Sequence, residues 1–89
     1  MVLKIERSAD GNCIILRLSG RMQVEHLAAL NSEMEGIAEI VLDLEEVKLV
    51  DREAVCFLAN CEASGTRLRH CSSYIRNWIT KERNTPELN

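Results

Sequence analysis

The chain has 89 residues, 46% hydrophobic and 28% charged, with a formal net charge of −3. That size holds one small domain with a single core, and the composition is that of an ordered globular fold rather than a disordered segment. No apolar run nears the roughly 20 residues of a membrane span, and MVLKIER lacks the apolar stretch of a signal peptide; a soluble cytoplasmic protein is the expectation.

The first run, VLKIER, alternates: Leu3 and Ile5 face one way, Lys4 and Glu6 the other, as in a one-sided edge strand. ADGN supplies the Asp-Gly signal of a tight turn. CIILRLSG is almost continuously apolar, which suits a strand covered on both faces, so the two runs predict an antiparallel hairpin. Residues 23–35 read as a helix, with Val24, Leu27, Ala28, Leu30 and Met34 mostly on one side and Gly36 as its stop. EIVLDL is the next strand and reads as central.

From Asp51 to about Ala63 the spacing of Val55, Leu58, Ala59 and Glu62 predicts a second helix, ended by Gly65. TRLRHC is a short strand with Arg67 and Arg69 opposite Leu68, again an edge. SSYIRNWITKE starts with Ser72 or Ser73 as N-cap and carries the apolar stripe Tyr74, Ile75, Trp78 and Ile79. The order is β-β-α-β-α-β-α, an α/β fold with a four-stranded mixed sheet in the order 1-2-3-4. Right-handed crossovers put the first two helices on one face, and the third either closes the sheet's end or covers part of the other face. Residues 1–83 form the single domain and 84–89 a polar C-terminal tail.

Several functional classes find little in these residues. The four cysteines (Cys13, Cys56, Cys61, Cys71) have no CxxC spacing, and reduced, packed thiols are expected rather than zinc. Residues 1–65 carry charge −6 and residues 66–89 carry +3, which disfavours general nucleic-acid binding but can orient a partner. No nucleophile motif or Gly-rich phosphate loop occurs, and His26 sits on a surface helix, so no catalysis and no cofactor are expected. Asp43 and Asp51 lie where open α/β sheets place ligands; they can hold a cation, and capping and solvation explain them equally.

The element order, centred on IVLDLEEVKLVDREAVCFLANCEASGTRL, resembles the STAS family: anti-sigma-factor antagonists, cytoplasmic domains of sulfate transporters, and small subunits of lipid-trafficking ABC systems. In that family an apolar strand ends in Asp, a short loop and an apolar pair follow, and Asp-Ser-Ser/Thr-Gly opens an apolar helix. Asp43, Leu49-Val50, Asp51 and Gly65 fit this pattern, and LRLSGRM looks like the family's second strand and its exit. Arg52, Glu53 and Ala54 stand where the family has Ser, Ser/Thr and Gly. The hydroxyl that a partner kinase phosphorylates in the antagonists is thus replaced by Glu53. The resemblance spans roughly residues 2–80.

The triplet Asp51-Arg52-Glu53 admits two readings. Asp51 is a favoured N-cap worth about 1 kcal/mol, and Glu53 complements the helix dipole by a further ~0.3–1 kcal/mol, so the triplet can be purely structural. Alternatively Glu53 is a permanent, weaker substitute for the phosphate that relatives place at this anion-favouring helix start. The resemblance implies a non-catalytic protein-interaction domain whose partner-binding residues are Val47, Lys48 and Leu49 from the preceding loop with Asp51, Arg52 and Glu53, Arg52 being the specificity contact. The implied partner is an anti-sigma factor or related kinase in a bacterial regulatory system, without phosphorylation switching. The alternatives are an accessory subunit bound to a transporter ATPase, or a small anion- or nucleotide-binding module. Tyr74, Ile75 and Trp78 are a candidate homodimer surface.

Overall fold

The Asp-Gly turn folds the chain back on itself as expected. In the computed structural model, which describes residues 3–84, β1 (Lys4–Asp10) and β2 (Cys13–Met22) form an antiparallel hairpin with Asp10 opposite Cys13. Gly11 takes the left-handed φ of 65° that a two-residue hairpin loop requires and that a side chain would strain. Then follow α1 (Val24–Met34), β3 (Ile40–Val50), α2 (Arg52–Ala63), β4 (Arg67–Arg69) and α3 (Ser73–Asn84). The sheet order is β1-β2-β3-β4, with β2-β3 and β3-β4 parallel. The four-stranded mixed sheet expected from the sequence is therefore present. Of the expected tail, residues 85–89 lie outside the described residues, and position 84 belongs to α3.

One face of the sheet carries the core. Leu16 and Leu18 of β2 and Leu42 and Leu44 of β3, at alternate positions, are buried with Leu30 of α1, Val55 and Leu58 of α2, and Ile75 and Ile79 of α3. Two right-handed crossovers in the same direction place α1 and α2 on this face. The α3 helix packs on α2, held there by the Glu62–Arg76 pair, whose two hydrogen bonds measure 2.8 and 3.0 Å.

The opposite face departs from the expected double cover. Ile15 and Val41 are only half-buried there and Arg17 is exposed. The apolar run of β2 reflects burial of its even-numbered side chains, together with partial shielding of Ile15 by neighbouring strands. Across this face the register lines up Glu6, Arg17, Asp43 and Arg69, one from each strand, in alternating charge. Opposite charges on directly paired strands are mutually favourable, and they keep the helix-free face hydrophilic.

The apolar stripe of α3 divides. Ile75 and Ile79 are buried and Trp78 half-buried, whereas Tyr74 is 54% exposed. Tyr74 leans on Trp78 with ring centroids 5.9 Å apart, and the Trp78 indole N–H donates to Glu82 at 3.3 Å. Ile75 is thereby committed to the monomer core and is not a surface residue.

Candidate functional site

The end of β3 and the start of α2 hold the six residues singled out from the sequence. Asp51 is the N-cap of α2, with extended backbone at φ −102°; its Oδ1 accepts from the Ala54 N–H at 2.9 Å. Its Oδ2 accepts from the Val24 N–H at 3.0 Å, at the first residue of α1. The Asp51 N–H in turn donates to the Met22 carbonyl at 3.3 Å. One carboxylate thus satisfies orphan donors of two helices. With each oxygen held by a backbone N–H, Asp51 is a structural joint between the two helix starts.

Val47, Lys48 and Leu49 are not in a loop. They lie within β3, which runs to Val50 because it keeps pairing with β2: Val47 sits opposite Gly20, Leu49 opposite Arg21 and Val50 opposite Met22. Lys48 is the extra residue of the irregularity between these pairs, and Gly20 absorbs it with φ 97°. Charged residues at Glu45, Glu46 and Lys48 look like a loop because this stretch is an exposed strand end beyond the central core. Leu49 is 45% exposed and Lys48 is exposed, 3.9 Å from Glu46. Across the Asp51 joint, Val24 is 55% exposed.

Arg52 and Glu53 open α2 on the surface. Arg52 Nε lies 3.6 Å from Glu82 Oε1, so this cation reaches to α3, a link thirty residues away that local sequence did not signal. Glu53 makes no hydrogen bond or ion pair among the described residues, and its carboxylate is free at a helix start that favours negative charge.

A second group lies on the helix-free face, around the strand-end Asp43. Asp43 is 2% exposed. Its Oδ1 accepts from the Glu45 N–H at 3.0 Å and faces His70 Nδ1 at 3.1 Å. His70 Nδ1 is also 3.8 Å from Glu45 Oε1, and Arg17 Nε is 3.9 Å from Asp43 Oδ2. Burial pushes the Asp43 carboxyl up, but the Glu45 N–H, His70 and Arg17 together outweigh it and hold it below its ordinary value. Asp43 is therefore ionised near neutral pH. The strand-end Asp was visible in the sequence; its partner was not, because His70 is placed by a left-handed φ of 55° just after β4.

The four cysteines are free thiols, each half-buried. Burial raises Cys56, Cys61 and Cys71, with Cys61 pushed up to about 11. These three thiols stay protonated near neutral pH, which is poor preparation for nucleophilic chemistry. Cys61 lines a depression of about 470 Å³ between the ends of α1 and α2, with Met34, Ile37, Phe57 and Thr66, at the end of the sheet away from Asp51.

No family model matches the chain, and no curated protein matches it. Among solved structures, it is similar to the anti-sigma factor antagonist SpoIIAA in its unphosphorylated form. The TM-score is 0.67 and the identity 16%, over 90% of this chain and 83% of that one. A protein called Mglu is similar at TM-score 0.50 and 22% identity, over 72% of this chain but only 18% of that one. An uncharacterized protein of Shewanella loihica with a SpoIIAA-like fold gives TM-score 0.49 and 14% identity, over 92% of this chain and 76% of that one. The hairpin and the two parallel crossovers thus belong to a known architecture: the chain has the STAS-type fold of the antagonist SpoIIAA, carried by a divergent sequence.

Proposed function

We propose that this chain is a non-catalytic protein-interaction domain whose partner docks at the β3 end and the α2 start. A regulatory protein of the anti-sigma-factor or related kinase type is the partner class that the SpoIIAA-like fold favours. The observation that carries this reading is the clustering of exposed apolar and charged groups around one rigid joint. Val24 and Leu49, two of the three large exposed hydrophobics among the described residues, flank Asp51 together with Lys48, Arg52 and Glu53. Apolar side chains rimmed by charge are the usual makeup of a contact patch. Asp51 shapes this surface through the backbone N–H groups that its two oxygens hold.

On this reading the site is not switched by phosphorylation, because Glu53 offers a permanent carboxylate in place of a hydroxyl. Quantitative affinity capture with the wild-type chain and with Leu49→Asp, Glu53→Lys and Glu39→Lys tests it. Glu39 is exposed at the opposite end of β3 and serves as the control. A specific partner should be retained by wild type and Glu39→Lys and lost with the other two variants. A transporter ATPase in place of a regulatory protein would change the partner class, and capture indifferent to Leu49 and Glu53 would sink the site.

A further inference from the structure

The helix-free face carries a feature that the docking surface does not use. We propose that Asp43, Glu45 and His70 form a binding site for a borderline divalent transition-metal ion, of the zinc, cobalt or nickel class. Three donors of two chemical kinds converge there from β3 and the residue after β4. His70 Nδ1 is 3.1 Å from Asp43 Oδ1 and 3.8 Å from Glu45 Oε1, and one donor atom from each residue lies within 4.8 Å of the others. Ligand atoms about a tetrahedral ion with bonds of about 2.0–2.1 Å stand about 3.3 Å apart, so the spacing is close to what coordination needs. The mixed imidazole and carboxylate set suits these ions better than magnesium or calcium, which prefer oxygen alone.

Asp43 is 2% exposed, and Arg17 Nε stands 3.9 Å from its Oδ2. Asp43 also lines a depression of about 510 Å³ on this face, with Arg17, Ser8 and Arg69. The anchored member of the set is the buried one, fixed by the Glu45 N–H, whereas Glu45 and His70 are exposed and can adjust toward an ion. The charged groups facing the set are Arg17 and Arg69, and both oppose an incoming cation.

Cobalt(II) titration of the reduced full chain, followed by visible and near-ultraviolet absorbance and by thermal unfolding, tests the site. One equivalent should bind with a spectrum lacking the near-ultraviolet thiolate-to-cobalt band, and it should raise the unfolding temperature. His70→Asn, which tolerates the left-handed backbone, and the surface change Glu45→Gln should each weaken binding by about tenfold or more while leaving the far-ultraviolet circular dichroism unchanged. Arg17→Gln, by removing the competing cation, should tighten it. The proposal is overturned if the wild type binds no cobalt, if the spectrum shows thiolate ligands, or if His70→Asn binds as well as wild type.

Discussion

Asp51 Oδ2 stands 3.0 Å from the Val24 N–H, so the residue that caps α2 also fastens the start of α1. The two helix N-termini would otherwise present several unsatisfied donors at the same corner. The bond ties the Val24 backbone to the start of α2, next to the end of β3 that carries Leu49.

Removing this joint should cost more than an ordinary cap. Asp51→Ala loses both bonds and should destabilise by about 2 kcal/mol, the upper end of measured N-cap effects. Asp51→Ser should recover about half, because its shorter hydroxyl can still cap α2 but cannot reach Val24. Urea unfolding at neutral pH reads the difference as a shift in midpoint with an unchanged slope. Equal stability of Asp51→Ser and wild type would show that the bond to Val24 contributes nothing.

The attachment of α3 to α2 should fail in acid. The Arg76 hydrogen bonds hold the Glu62 carboxyl below its ordinary value of 4.5, against the upward push of burial and with help from the charges of Arg76 and Arg83. A carboxyl depressed in the folded state contributes stability that is fully present above its unfolded value and is lost as pH falls through the folded one. Glu62→Gln should therefore cost about 1 kcal/mol at neutral pH, since the pair is partly exposed and screened. The gap between variant and wild type should close from about pH 5 downward. A gap that persists at about pH 3 would place the contribution in packing rather than in charge.

Much of this architecture could be read from local signals: the turn at Gly11, the cap at Asp51, the stop at Gly65 and the alternation around Leu68. Each of these works through neighbours a few residues away. What could not be read depended on distant partners. The β3 strand continues through the charged segment 45–48 only because β2 offers backbone to pair with up to Met22. The six site residues therefore lie together, but three belong to a strand end and Asp51 is bonded inward. Arg52 finds Glu82 and Asp43 finds His70 across about thirty residues, and neither pairing leaves a periodic mark in the sequence. The helix-free face was also hidden, because Ile15 and Val41 read as core residues in a run that is apolar on both sides.

Within α3, burial rather than hydrophobicity should decide the effect of truncation. Ile79 is fully buried, and Ile79→Ala should cost about 2–4 kcal/mol through lost transfer energy and the cavity left behind. Tyr74→Ala removes a larger side chain that is half in solvent, and it should cost under about 1 kcal/mol. Thermal unfolding followed by Trp78 fluorescence ranks the two. A Tyr74→Ala loss as large as that of Ile79→Ala would mean that Tyr74 is covered in solution by something beyond the monomer.

The thiol of Cys61 should be slow to react in the folded chain. With its pKa pushed up to about 11 by burial, only about one thiol in a thousand is ionised at about pH 8, against about one in ten for an ordinary cysteine. Side-chain cover slows the reagent further, because Cys61 is half-buried at the rim of the depression between α1 and α2. A time course with an alkylating reagent, resolved by peptide mass spectrometry, should show Cys61 modified at least about tenfold more slowly in buffer than in urea. Unfolding removes both the burial and the shift, so the difference reports the folded environment rather than the reagent. Modification at the same rate in both conditions would mean that the α1–α2 end of the molecule opens freely, and that the packing of Phe57 and Met34 around Cys61 does not protect it.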